Sequence, residues 1–265
     1  MLNEEMAFDT GFPGYRAQIL AQQESSLFIA SSIQEGGAGP ELHFHESDQI
    51  YFLVRGNMNV RLGEEVHRIG PGTLVHIPAG LPHCNWNDGP GPEMHLEGII
   101  PSPSLGQEIA HIIDSPDDVP PEHRTNQSGT VTTVDVEYLT EPFPGFHIMP
   151  LVDPGMGIDR MVVNYAEASP GSRGPDWHIH EFDQFYFVFE GELTVDVGLQ
   201  HHIVGPETLV RLPAGVPHRN FNEGGITEKH LAILTPAPDE DLPWDYGVDF
   251  APNGDDHSGR FVRRS

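Results

Sequence analysis

Two stretches of this chain decide its fold: HFHESDQIYFLVRG at residues 43–56 and HIHEFDQFYFVFEG at residues 178–191. They are related by an offset of 135 residues, and the same offset carries PAGLPHCNWN (78–87) onto PAGVPHRNFN (213–222). A repeating unit of this length is long enough to close a hydrophobic core of its own. The sequence therefore contains one domain present twice.

Short strands dominate each copy. Segments such as QIYFLVRG and GTLVHIPAG are rich in aromatic and β-branched residues and are separated by turns, in a chain with 29 glycines and 25 prolines. This pattern is typical of antiparallel strands closed as a barrel or jelly roll. Upstream, FPGYR (12–16) matches FPGFH (143–147) at an offset of 131, so the repeat begins before the first histidine pair. We expect an all-β protein of two tandem barrels.

The segments between and after the repeats set the domain boundaries. SPSLGQEIAHII (102–113) has apolar residues at helical spacing and a serine at its start, which predicts a closing helix. The following stretch is polar and proline-rich, as linkers are. We therefore expect a first barrel with its helix at 1–113, a linker at 114–138, a second barrel at 139–237, and a C-terminal tail at 238–265 that either wraps a surface or is partly mobile.

Composition limits the partners and the compartment. The formal net charge is −27, and such a surface repels phosphate backbones, so we expect no nucleic-acid partner. Cys84 is the one cysteine, which leaves no internal disulfide, and neither a signal sequence nor an apolar run long enough to span a membrane is apparent. These features indicate a cytoplasmic protein with no membrane partner.

The repeated histidines have the pattern of metal ligands. Residues at i and i+2 of a strand point to the same side, so His43 and His45 share one face, and Gln49 shares it if the strand resumes in phase. His83 comes 40 residues after His43, at the end of a different strand. The second copy repeats this set as His178, His180, Gln184 and His218. Three imidazoles and an amide oxygen suit Fe, Mn, Ni, Zn or Cu.

These motifs resemble those of the cupin superfamily, and the chain resembles a bicupin. The first cupin motif has Gly, His-x-His, Glu and Gly, and Gly37, His43, His45 and Gly56 fit it with Gln49 in place of Glu. The second motif is matched in full by Gly72, Pro78, Gly80, His83 and Asn87. In the second copy, Gln184 again replaces Glu, Ser172 replaces the first Gly, and Glu207 replaces the Gly before the proline. The resemblance implies two jelly-roll barrels with one divalent transition metal each, Fe being the first choice.

The change from Glu to Gln affects the chemistry that the resemblance implies. A neutral ligand set leaves the ion its full double charge, which favours anionic chelating substrates. The leading hypothesis is a dioxygenase acting on a small enolisable, keto-acid, diketone or catecholic substrate. A non-oxidative, metal-dependent isomerase or cyclase acting on a keto acid or polyketide-like substrate is the second hypothesis, since the ligand set resembles that of a cupin isomerase that acts on a keto acid. A non-catalytic, metal-stabilised binding protein is the third.

Several further residues are candidates for supporting roles. Tyr51 and Tyr186 lie two positions after each glutamine, so they are predicted on the metal face, either donating a hydrogen bond to the substrate or packing in the core. His95 and His230 also repeat and could lie behind the ligands or simply in the sheet. Arg211 could hold a substrate carboxylate, although a surface position is favoured. We expect a small-molecule substrate and either a monomeric bicupin or a homodimer.

Overall fold

A computed structural model describes residues 5–239, 241–252 and 259–264. The chain divides into two compact units, Met1–Val134 and Asp135–Ser265, which we call the first and second barrel. Each barrel consists of two antiparallel sheets, and the described residues contain no α-helix. The predicted all-β fold with two tandem jelly-roll barrels is confirmed.

Twelve strands form the first barrel. Their bounds are β1 Phe8–Asp9, β2 Tyr15–Gln22, β3 Leu27–Ile33, β4 His43–Phe44, β5 Asp48–Arg55, β6 Met58–Leu62, β7 Glu65–Ile69, β8 Thr73–Ile77, β9 His83–Trp86, β10 Glu93–Ile100, β11 His111–Ile112 and β12 Thr130–Thr133. One sheet has the order β1-β2-β3-β10-β5-β8-β12 and the other β11-β4-β9-β6-β7. Two short 3₁₀ turns, Pro116–Asp118 and Pro121–His123, lie between β11 and β12.

The second barrel repeats this plan with twelve further strands. Their bounds are β13 Thr140–Phe143, β14 Phe146–Val152, β15 Val162–Ala168, β16 His178–Ile179, β17 Asp183–Glu190, β18 Leu193–Val197, β19 Gln200–Val204, β20 Thr208–Leu212, β21 His218–Phe221, β22 Glu228–Thr235, β23 Tyr246–Pro252 and β24 Gly259–Arg263. The sheet orders are β13-β14-β15-β22-β17-β20 and β19-β18-β21-β16-β23-β24. Two 3₁₀ turns complete it, at Val136–Tyr138 and Pro154–Met156.

The core of each barrel is built from side chains of both of its sheets. In the first barrel Leu53 of β5 packs in one cluster with Met58 and Val60 of β6, and all three are fully buried. In the second barrel the matching residues Val188, Leu193 and Val195 form the equivalent cluster. Alternation along the strands supplies these inward side chains, as the sequence pattern predicts.

The predicted closing helix at 102–113 is absent, and this prediction was wrong. The segment is irregular and ends in β11, which pairs with β4 through Ile112 and His43. Gly106 takes a positive φ of 87°, which interrupts a helix, and Leu105 is fully exposed, so the apolar spacing has no surface to pack against. The free edge of β4 instead pairs with the backbone of this segment.

The regions predicted as linker and tail both contribute strands. Within 114–138, β12 pairs with β8 and therefore belongs to the first barrel, and the division between units falls after Val134. Within 238–265, β23 pairs with β16 and β24 pairs with β23. Residues 240, 253–258 and 265 of that tail lie outside the described residues. Over the part of the chain that the structure describes, no helix is long and apolar enough to cross a membrane.

Candidate metal centres

Strand pairing brings the predicted ligands of each barrel together. In the first barrel β4 pairs with β9 so that His43 stands directly opposite His83. In the second barrel β16 pairs with β21, and His178 stands opposite His218. The sequence separation of 40 residues is thus closed by one antiparallel pair in each barrel.

The remaining ligand candidates complete two groups of the same design. In each triad the candidate ligand atoms all lie within 4.8 Å of one another, and the triads are His43, His45 and His83, and His178, His180 and His218. All six histidines are buried. Gln49, the second residue of β5, lies beside the first group and is 1% exposed, and Gln184 occupies the same place in β17 beside the second group and is 8% exposed.

Backbone carbonyls fix the orientation of five of the six rings. His43 Nδ1 donates to Glu41 O at 2.7 Å, and His83 Nδ1 donates to Leu81 O at 2.8 Å. His45 Nδ1 donates to Ile109 O. In the second barrel the matching bonds join His178 to Asp176 O at 2.7 Å and His218 to Val216 O at 2.9 Å. A proton held on Nδ1 leaves Nε2 as the free electron pair, the form in which histidine binds metals.

The unpaired atoms of the first group fit a bound cation. His45 Nε2, His83 Nε2 and Gln49 Oε1 are buried and have no hydrogen-bond partner among the described residues. A buried acceptor left without a partner is costly, and three together in one place indicate a ligand that accepts their electron pairs. Nitrogen and amide oxygen atoms of this kind suit a divalent transition metal.

The second group has different contacts. His218 Nε2 lies 3.2 Å from Gln184 Oε1. His180 Nε2 lies 3.6 Å from the carboxylate oxygen Oδ1 of Asp245, a residue 54% exposed that directly precedes β23. In the first barrel β11 pairs with β4 in the way that β23 pairs with β16 in the second barrel. The residue that precedes β11, and so corresponds to Asp245, is Ala110. The second centre therefore has a carboxylate close to its ligand atoms that the first does not have at this position.

Burial keeps five of these histidines in their neutral form. It lowers the pKa of His43 to about 3, with a further contribution from His45, and it lowers the pKa of His180 to about 3 with a contribution from His178. The pKa values of His45, His83 and His218 are also lowered, chiefly by burial. These five rings can thus bind a metal at neutral pH without first losing a proton.

A tight turn sets the position of the third histidine. The Asp48 carboxylate accepts hydrogen bonds from Ala79 N and from His76 Nε2, both at 3.0 Å, and so ties the Pro-Ala-Gly turn to β5. Gly80 in this turn has φ of 81°, and a Cβ there would lie 1.7 Å from His123 O. Only glycine fits this position, and β9 with His83 follows three residues later.

The same turn in the second barrel accounts for Arg211. Asp183 accepts from Ala214 N at 3.0 Å and pairs with Arg211 at 3.0 Å. The Arg211 side chain is 40% exposed. The arginine thus stabilises the turn that precedes β21, in the same role that His76 has in the first barrel.

Tyr51 and Tyr186 lie inside the barrels, each two residues after the glutamine of its centre. Both are buried members of the core clusters. The Tyr186 hydroxyl donates to Asn220 Oδ1 at 3.2 Å. Burial raises the pKa of Tyr51, and the charge of Glu97 raises it further. Their catalytic role stays a prediction.

His95 and His230 pack behind these tyrosines. The ring of His95 lies 5.0 Å from that of Tyr51, and the ring of His230 lies 4.7 Å from that of Tyr186. His95 Nδ1 lies 2.9 Å from Glu93 Oε2, and this pair is fully buried. Burial lowers the pKa of His95 but the Glu93 carboxylate outweighs it, so the net shift is upward.

Two residues near the centres, Glu97 and Asp245, were not predicted from the sequence. Glu97 is buried and accepts a hydrogen bond from Gln49 Nε2 at 2.6 Å. A comparison of the two copies could have found it, because the matching residue is Ala232. Asp245 lies in a segment without periodicity and 65 residues after His180, and the sequence contains no signal for it.

Comparisons with known proteins agree with this architecture. An uncharacterized protein of Streptomyces coelicolor is 26% identical over 61 residues, which cover 23% of this chain and 58% of that protein. The crystal structure of a protein described as glyoxylate-induced, from Pseudomonas aeruginosa, has a TM-score of 0.69 at 18% identity. The similarity covers 91% of this chain and 88% of that chain.

Other solved structures of the same fold differ in what they do. Salicylate 1,2-dioxygenase of Pseudoaminobacter salicylatoxidans, in adducts with gentisate, has a TM-score of 0.61 at 14% identity. The similarity covers 80% of this chain and 68% of that chain. Procruciferin, an 11S globulin of Brassica napus, has a TM-score of 0.65 at 12% identity, with coverage of 85% and 82%. Similarities at this level of identity show the fold alone.

The family assignment comes from the sequence of each repeat. The cupin domain family matches residues 31–97 and residues 164–230, which together make up half of the chain. Each match includes the three histidines of one centre. The chain therefore belongs to the cupin family and contains two cupin domains.

Proposed function

We propose that this chain is a metal-dependent dioxygenase acting on a small enolisable, keto-acid, diketone or catecholic substrate. The observation that carries this proposal is the convergence of three imidazoles on one point beside a glutamine in each barrel. With no charged ligand in this set, a divalent ion would keep its double charge and favour a substrate that offers two anionic oxygens. When bound, Fe(II), our first choice of metal, would supply a Lewis acid that makes the chelated substrate reactive toward dioxygen.

The protein's own residues have defined tasks in this scheme. The backbone carbonyls of Glu41 and Leu81 hold two rings so that their Nε2 atoms face the centre. Burial keeps the rings neutral and excludes bulk water. Tyr51 and Tyr186 are proposed to donate a hydrogen bond to the bound substrate. Both oxygen atoms of dioxygen enter the product, and the substrate supplies all four electrons, so no external reductant is required.

A second candidate is a non-oxidative isomerase or cyclase. The observation that favours it is Asp245, whose carboxylate lies 3.6 Å from His180 Nε2 and is half-exposed. A carboxylate beside a polarised, enolisable substrate could remove a proton at one carbon and return it at another. In this scheme Zn, Mn or Ni would serve as well as Fe, because the reaction needs no change of oxidation state.

The proposal includes one ion per barrel and a small-molecule substrate. We also propose that the protein acts in the cytoplasm, as a monomeric bicupin or a homodimer. The charge of −27 argues against a nucleic-acid partner.

Oxygen consumption distinguishes the candidates. Protein purified without a histidine tag is reconstituted with Fe(II) under anaerobic conditions and mixed with panels of 2-oxo acids, β-diketones and catechols in an oxygen electrode. The matched variants are His43→Ala and His178→Ala, each of which removes a ligand from one barrel, together with the double variant. The dioxygenase predicts one mole of oxygen consumed per mole of product, and activity lost in the double variant.

Other outcomes reject the dioxygenase. Product formed at the same rate without oxygen would support the isomerase, and substitution of Zn for Fe should then retain activity. If neither barrel binds Fe, Mn, Ni, Zn or Cu after reconstitution, both enzyme proposals fail, and what is left is a binding protein that needs no metal.

A further inference from the structure

A buried carboxylate lies directly behind the glutamine of the first centre. Gln49 Nε2 donates to Glu97 Oε1 at 2.6 Å. The other carboxylate oxygen, Oε2, accepts from the Tyr15 hydroxyl at 3.1 Å and from the Ser31 hydroxyl at 3.4 Å. Glu97 is 7% exposed, and Tyr15 and Ser31 are also buried. The carboxylate therefore has a donor on each oxygen, and one of these donors is a predicted metal ligand.

The second barrel lacks this whole arrangement. Glu97 stands opposite Tyr51 in the first barrel, and Ala232 stands opposite Tyr186 in the second. By the same strand registers Ser31 is replaced by Ala166, and Tyr15 is replaced by Phe146. Three hydrogen-bonded polar side chains of the first barrel thus correspond to three apolar side chains in the second barrel, while the ligand residues are the same in both copies.

The carboxylate decides which end of Gln49 faces the histidines. A carboxylate accepts hydrogen bonds and cannot accept one from an amide oxygen, so the NH₂ end of Gln49 must point to Glu97. The amide oxygen Oε1 then points away from it, and it is this atom that is buried without a partner among the described residues. In the second barrel the Gln184 side chain has no such partner at position 232, and its Oε1 lies 3.2 Å from His218 Nε2.

The carboxylate also changes the electrostatics of the first centre. A negative group one side chain away from a divalent ion attracts it strongly in a buried environment, and hydrogen-bonded partners of ligands commonly affect metal affinity by about 10- to 100-fold. Asp245 beside the second centre is 54% exposed, so water screens its charge more than that of Glu97, which is 7% exposed. A glutamine whose amide is polarised by a carboxylate is a better oxygen donor than a free one.

We propose that Glu97 is a positioning residue that holds Gln49 as an oxygen ligand, so that the first centre binds divalent metal ions more tightly than the second. This inference rests on the metal binding in the proposed function, but not on the reaction. It makes the two centres of this chain chemically different despite their identical ligand sets.

Affinities measured one centre at a time test this. The double variant His178→Ala/His180→Ala leaves only the first centre, and His43→Ala/His45→Ala leaves only the second. Each protein is titrated with Co(II) and Zn(II) in competition with a chromogenic chelator. We expect the first centre to bind at least about tenfold more tightly, and Glu97→Gln in the first-centre protein to weaken binding about 10- to 100-fold.

Two further measurements separate positioning from folding. Circular dichroism of the metal-free proteins checks that Glu97→Gln is folded, and the Co(II) absorption spectrum of this variant should change as the oxygen ligand is lost. If Glu97→Gln does not fold, Tyr15→Phe serves in its place, because it removes one donor to the carboxylate and copies the residue found in the second barrel. It should weaken binding at the first centre by a smaller factor and leave the second centre unchanged.

The results that overturn the inference differ from those that overturn the proposed function. Equal affinities of the two centres, or a Glu97→Gln centre with unchanged affinity and Co(II) spectrum, would show that the carboxylate has no effect on the ion. Failure of both centres to bind any ion would instead reject the metal-dependent function itself.

Discussion

Acidification of the metal-free protein should destabilise each barrel through its buried histidines. His43 in the first barrel and His180 in the second each have a pKa lowered to about 3, first by burial and then by a neighbouring ligand histidine. An unfolded histidine has a pKa near 6.5. The folded state therefore stays neutral at pH values where the unfolded state takes up a proton. The stabilising contribution is complete above pH 6.5 and is lost as the pH falls from about 6.5 towards 3.

The two pKa values set the magnitude. Between pH 6.5 and pH 5 a single histidine with these values reduces the free energy of unfolding by about 1.6 kcal/mol. His45 and His83 have lowered pKa values as well and add to the loss in the first barrel. A barrel of ordinary stability, about 5–15 kcal/mol, should therefore become marginal as the pH approaches 4.

Urea unfolding with a chelator present measures this effect. Wild type, His43→Gln and His180→Gln are compared at pH 6.5 and pH 5, since glutamine is neutral and does not titrate. Each variant should lose about 1.6 kcal/mol less than wild type between the two pH values. His202→Gln is the matched control, because His202 is exposed on β19, and it should behave as wild type does. If His43→Gln loses as much stability as wild type, His43 is not held neutral by the fold and the reasoning fails.

Three further sets of substitutions have defined outcomes. Gly80→Ala should abolish metal binding at the first centre, because its Cβ would lie 1.7 Å from a backbone oxygen. Gly215→Ala is the comparison: with φ of 73° and nothing within 4 Å of the added Cβ, it should lower the free energy of unfolding by only about 1–2 kcal/mol. Thermal denaturation and metal content check both. Asp245→Asn should weaken ion binding at the second centre about tenfold and leave binding at the first centre unchanged, as measured by chelator competition. If the variant and the wild type bind the ion equally well at the second centre, the carboxylate does not reach the ion. Tyr51→Phe and Tyr186→Phe should lower turnover about tenfold with a stability loss near 1 kcal/mol, and unchanged turnover would leave them as core residues.

Repetition explains why so much could be predicted from the sequence. One His-x-His pair on a strand is weak evidence, but two copies with a third histidine at the same distance predict a site, and β4 and β9 do place His43 opposite His83. Strand alternation predicts the all-β class for the same reason, since each short segment has the same pattern in both copies.

The sequence-based predictions failed where long-range strand pairing determined the structure and the local sequence pattern did not. Residues 102–113 have helical spacing, but the segment contains Gly106 at positive φ and reaches the free edge of β4, which backbone hydrogen bonds can cover. Asp245 approaches His180 only because β23 pairs with β16, and long-range pairing of an aperiodic segment is not encoded in local composition.

The segment that replaces the predicted helix links ion occupancy to local order. β11 has only two residues, with little buried surface, so its detachment from β4 should require little free energy. The same segment supplies the Ile109 carbonyl that orients the His45 ring. An ion that binds His45 Nε2 favours the attached state of the segment, and attachment favours the ring orientation that binds the ion. We therefore expect that release of an ion bound in the first barrel and opening of this segment would be coupled steps of one equilibrium.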